Sequence, residues 1–153
     1  MARKRSKKQN AGKFAGVPVS IMATNHYTAL SSNEKALLFE LAFQYNGYNN
    51  GNLTACHSVM KRRGWASAGL WRAYSGLVHA GFAVVTRQGF KRRGYPTLLG
   101  LTYQPIDEPP AKVRYDEGVQ PSQIPLSFWC KAKSSWSIQP ELKAPVKKLS
   151  TSN

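Results

Sequence analysis

Apolar residues recur with a helical period in three stretches of the chain and with strand-like density in two more. In LSSNEKALLFELAFQYNG, Leu37, Leu38, Leu41 and Tyr45 fall at i, i+1, i+4 and i+8 and define one buried face. Ser31 and Glu34 stand three apart at its start, the spacing at which each side chain accepts the other's backbone N–H. Asn46-Gly47 offers the left-handed residue that ends such a helix. YNNGNL then predicts a tight turn into a short extended piece at Asn52-Leu53. Thr54 is positioned to cap a second helix, ACHSVMKRR, which buries Val59 and Met60 and stops at Gly64.

Ser67 is positioned to cap a third helix, AGLWRAYSGLVHA, closed by Gly81. At 100° per residue, Leu70, Ala73, Tyr74, Leu77 and Ala80 share one face, Ala68, Arg72, Ser75 and His79 lie opposite, and Trp71 takes the flank. Gly69 and Gly76 each cost the helix ~1 kcal/mol relative to Ala. With Ala73 and Ala80 they form a thin stripe suited to close approach by another helix. FAVVT and PTLLGLTY are rich in β-branched and apolar residues, and TRQGFKRRGYPT between them predicts a hairpin whose loop uses Gly89 and Gly94. Ordered structure is expected from near Val17. After Tyr103, repeated prolines and weak periodicity predict an irregular tail whose one apolar patch is Leu126–Cys130. The fold class is therefore α+β: one small domain over 17–104, a basic arm over 1–16, and a mostly irregular tail over 105–153.

Charge changes this picture from a fold to a binding problem. Lys and Arg total 22 against 7 Asp and Glu, a formal net charge of +15 and a pI near 10.2. Residues 1–104 carry 15 cations and 2 anions, whereas residues 105–153 carry 7 and 5. The excess belongs to the arm and the domain, and it implies a polyanionic partner, nucleic acid above all. The basic arm comprises Arg3, Lys4, Arg5, Lys7, Lys8 and Lys13 among small polar residues, a composition expected to be unstructured when unbound. The third helix has no acidic residue of its own, although a merely solvated helix usually mixes Glu with Lys. For Arg72, solvation alone remains the alternative reading, as it does for the loop cations.

Enzymatic chemistry finds little to work with. His26, His57 and His79 sit on three different elements, there is no GxxxxGK[ST] phosphate loop, and Glu34 and Glu40 are the only acids before residue 105. Metal-dependent phosphoryl chemistry needs clustered carboxylates. Cys56 and Cys130 have no CxxC partner, and Cys56-His57 alone is not metal-ligand spacing, so no cofactor or metal is expected. Unpaired cysteines and the lack of an apolar run of ~18–20 residues fit a reduced, cytoplasmic protein with no membrane partner.

Helix, short strand, helix, turn, helix and hairpin in this order resemble a winged helix-turn-helix over residues 30–104. The phrasing QYNGYNNGNLTA, MKRRGW and RAYSGLVHAGF is similar to small DNA-binding proteins encoded by bacterial prophages and mobile elements, in which a short aliphatic strand precedes the first helix, as VPVSIMATNHYTALS suggests here. The resemblance implies double-stranded DNA as partner and a nucleoid-associated location. It would set Ala68, Trp71, Arg72 and Ser75 against base edges in the major groove, where a guanidinium can bond O6 and N7 of guanine. Lys61, Arg62 and Arg63, and Arg87, Lys91, Arg92 and Arg93 of the wing, would meet phosphates, and the arm would reach a neighbouring groove. Such proteins share architecture more than role. Transcriptional regulator and replication accessory factor both stay open, as do binding of RNA or single strands, an adaptor built on a winged helix, a homodimer, and a protein contact through Leu126–Cys130.

Overall fold

Val17 is the first buried residue of the computed structural model, which describes residues 13–90 and 94–130. The segment after it is not the expected strand. Pro18, with φ −56°, directs its carbonyl at Ile21 N (3.0 Å) and Met22 N (3.1 Å), and so opens a single helical turn, α1 (Val19–Met22). Thr24 Oγ1 accepts from Tyr27 N at 3.3 Å and opens a second turn, α2 (Asn25–Thr28). Each turn buries one residue, Ile21 and Tyr27, and the Pro18 carbonyl and the Thr24 side-chain cap start helical turns where the resemblance implied a strand.

The capping box of the next helix forms as its spacing predicts. Ser31 Oγ accepts from Glu34 N (3.2 Å) and the Glu34 carboxylate accepts from Ser31 N (2.8 Å), opening α3 (Ser32–Gln44). Leu37, Leu38, Leu41 and Ala42 are its buried face. The helix ends because Tyr45 turns extended (ψ 121°), two residues before Gly47 reaches φ +100°. The turn beyond it delivers Leu53, which bridges Leu99 as the predicted short extended piece.

The second helix begins later than its sequence suggests, and the third one residue earlier. Thr54 Oγ1 accepts from Cys56 N at 3.1 Å and donates to Thr97 O at 3.3 Å, so it ties the loop to the hairpin instead of capping a helix. Helix α4 is only His57–Met60, continued by a 3-10 turn over Lys61–Arg63 that Gly64 ends at φ +90°. Met60 is fully buried, but Val59 is 44% exposed, contrary to the expectation that both face inward. In α5 (Ser67–His79), Ala66 occupies the cap position and Ser67 is already helical, without a side-chain cap. Leu70, Ala73, Tyr74, Leu77 and Val78 are buried, and α5 packs along α3.

Strands β1 (Ala83–Arg87) and β2 (Leu98–Leu101) pair antiparallel, with Ala83 opposite Leu101 and a register shift between Val85 and Arg87. Both strands are buried throughout, because the helices cover one face and residues beyond 104 reach the rest. That second contribution corrects the domain boundary. Ile106 is 2% exposed, Asp116 N donates to Thr86 O (2.7 Å), Ser127 N donates to Thr102 O (2.7 Å), and Trp129 stacks on Phe82 with centroids 6.0 Å apart. Residues 105–130 are irregular in backbone, as predicted, yet they wrap the core. The architecture is thus a small α+β unit, several helices followed by a two-stranded antiparallel hairpin.

Candidate functional site

The outward side of α5 follows from its period: once Leu70, Ala73, Tyr74 and Leu77 point to the core, Ala68, Trp71 and Arg72 are exposed and Ser75 is half-buried. Trp71 is 38% exposed and tilts against Tyr74 at 5.4 Å, so one edge is anchored and the other faces solvent. Arg72 forms no ion pair among the described residues. Glu34 is the carboxylate that reaches α5. One carboxylate oxygen lies over Gly76, where any Cβ would collide with it, and the other accepts from Ser31 N, which holds the side chain in the α3 cap. This is the close approach expected of the glycine stripe, made by a side chain at the start of α3. Gly69 has open space around its missing Cβ and plays no such part.

The three cations after α4 divide. Lys61 and Arg62 are exposed and unpaired among the described residues, whereas Arg63 pairs with Glu40 and lays its guanidinium over Phe43, 4.2 Å from the ring centroid. Much of its charge is already answered within the fold. Arg87 departs further from expectation. It is 7% exposed, its Nη2 donates to Pro96 O at 3.0 Å, and the guanidinium sits 4.0 Å from the centroid of Tyr95. It braces the base of the hairpin loop and is not available to a phosphate, because strand pairing up to Arg87 draws its stem under the loop. Lys91, Arg92 and Arg93 lie outside the described residues, as do Arg3, Lys4, Arg5, Lys7 and Lys8.

Two features of this region escape the sequence patterns. Phe90 is 68% exposed and stacks on Tyr95 at 5.1 Å and 22°; an aromatic set between Gly89 and a run of cations was its only signal. Asn50 is fully buried, and its amide binds Leu101, Gln104 and Pro105 carbonyls at 2.9, 3.2 and 2.8 Å while its Oδ1 accepts from Leu101 N at 2.6 Å. The NNG turn is therefore a structural clamp on β2.

Four titratable groups bear on the chemistry of the fold. Burial pushes Tyr74, Tyr103 and Tyr115 up to about 12, and a hydrogen bond with the Ser58 hydroxyl at 3.0 Å lowers Cys56 from its ordinary value. No group of three or more His, Cys, Asp or Glu side chains among the described residues is placed to hold a metal ion, and none of their helices is long and apolar enough to cross a membrane. The chain matches no protein-family model, no curated protein and no solved structure at a significant level.

Proposed function

We propose that the protein binds double-stranded DNA as a winged helix-turn-helix, with α4 and α5 as the motif, α5 in the major groove and the 88–97 loop as the wing. The outward face of α5 carries the reading: Arg72, without an ion pair among the described residues, stands there with Ala68 and Ser75 on a helix without acidic residues, while Lys61 and Arg62 stand exposed at the end of the preceding helix. A +15 chain supplies the non-specific attraction on which such a face depends. Its biological role is that of a regulator or replication accessory factor of a mobile element.

In this arrangement Arg72 reads a guanine, and Trp71 and Ala68 make apolar contact with neighbouring base edges. Lys61, Arg62 and the wing cations Lys91, Arg92 and Arg93 hold the backbone. Selection from a random duplex library, followed by titration of the enriched site at several salt concentrations, tests the proposal. An enriched motif bound at least a hundredfold above random duplex, with affinity falling as salt rises, is expected. No enrichment, or equal affinity for every duplex, would remove α5 as a reader of sequence.

A further inference from the structure

We infer that Phe90 is a stacking wedge, which takes the π-face of a nucleobase in the DNA the protein binds; this rests on the DNA-binding reading above. Single exposed aromatics are common on protein surfaces and carry no message by themselves. Phe90 differs in how it is mounted. Its backbone N donates to Tyr95 O at 3.1 Å, which closes the loop and sets the two rings against each other, 5.1 Å apart and 22° from parallel. Tyr95 in turn packs on the Arg87 guanidinium at 4.0 Å, and that guanidinium is buried and bonded to Pro96 O. Guanidinium, phenol and phenyl thus form a braced column that leaves Phe90 68% exposed.

The stem below the column is narrow. Gly89 N donates to Thr97 Oγ1 at 3.0 Å, and a Cβ at Gly89 would strike the Thr97 backbone, so the ring is carried on a closely packed stem. A protein-core partner for Phe90 is absent among the described residues, and the neighbouring charge argues for the occupant. Lys91, Arg92 and Arg93 follow Phe90 directly in sequence, and the loop from Gln88 to Thr97 contains no acid. An apolar protein partner would have to desolvate that charge, whereas a nucleobase comes flanked by phosphates that match it. A flat aromatic next to cations is the chemistry that stacks on bases, either at a step prised open in a duplex or at a base already unpaired.

The test uses the full chain and three probes, each with one 2-aminopurine: an intact 25-base-pair duplex, the same duplex with a two-nucleotide bulge, and the single strand. Phe90→Ala should weaken binding to at least one probe about tenfold, abolish the change in 2-aminopurine emission seen with the unaltered protein, and leave the salt slope unchanged, because no charge is lost. Phe90→Trp should retain affinity, and Phe90→Leu should not. All three variants should melt with the parent protein, since the ring is exposed. An effect largest on the bulge or single strand identifies an already unpaired base; one as large on intact duplex identifies an opened step. Salt-dependent duplex binding that Phe90→Ala leaves untouched, with no change in 2-aminopurine emission, would overturn the wedge and spare the DNA-binding proposal. Failure of the unaltered protein to bind any probe would overturn both.

Discussion

Asn50 shows how much one buried polar residue carries in this chain. It joins the turn after α3 to the end of β2 through side-chain bonds to Leu101, Gln104 and Pro105, and its backbone N donates to Asp107 Oδ2 at 2.8 Å. Asn50→Ala leaves Leu101 N and several carbonyls without partners away from water, so a loss of about 3 kcal/mol in unfolding free energy is expected by urea titration. A loss below ~0.5 kcal/mol would mean that water replaces the amide. Gly51 beside it has φ +108° and lies under the Tyr115 hydroxyl, which explains why glycine follows Asn50. Arg72 is the opposite case: exposed, and without an ion pair among the described residues, it contributes little to folding. Arg72→Ala should leave the melting temperature alone and cost about 1–3 kcal/mol on the preferred DNA site, with preference relaxed at one base pair. Equal loss on preferred and random duplexes would make it a phosphate contact.

Single elements divide the basic residues by what each already touches. After α4, Lys61 and Arg62 have their full charge to offer, but Arg63 is held by Glu40 and Phe43. Lys61→Gln and Arg62→Gln should each lower the slope of log affinity against log salt by ~0.9, and Arg63→Gln by clearly less. A slope insensitive to all three would remove the α4 end from the interface. In the hairpin, replacing Lys91, Arg92 and Arg93 together by Gln should flatten the slope by up to ~3 units without changing the melting temperature. Arg87 belongs outside that set, because its removal strips the support from Tyr95 and leaves Pro96 O unpaired.

For the whole molecule, the segment after residue 104 decides stability. It buries Ile106, packs the half-buried Trp129 against the core, lays Tyr115 over Gly51, and supplies backbone donors to Thr86 and Thr102. Each buried large side chain contributes about 1.5–3 kcal/mol, so a chain ending at residue 104 should unfold or lose most of its stability relative to one ending at residue 130. Equal melting temperatures would show that the wrapping is incidental. The same burial sets an alkaline limit. Tyr74, Tyr103 and Tyr115 have folded values near 12 against an ordinary 10.0, so between these pH values the unfolded chain releases protons that the folded chain retains. Stability is intact below pH 10 and falls as pH rises toward 12, with tyrosinate absorbance lagging free tyrosine until the protein unfolds.

Local pattern was enough to determine the capping box at Ser31 and Glu34, the inward faces of α3 and α5, the hairpin, and the excess of positive charge. Those features depend on residues within a turn or two of each other, or on composition alone. Tertiary structure decided the rest. Thr54 and Ser67 have capping chemistry, but Thr54 is claimed by Thr97 across the fold and Ser67 is drawn inside the helix. Arg87 reads as one more loop cation until strand pairing places it beneath Tyr95, and residues 105–130 read as a tail until Ile106 and Trp129 are seen against the core. Sequence periodicity reports which side of an element is apolar; it carries no information about which distant group will occupy a donor, cover a strand or cancel a charge.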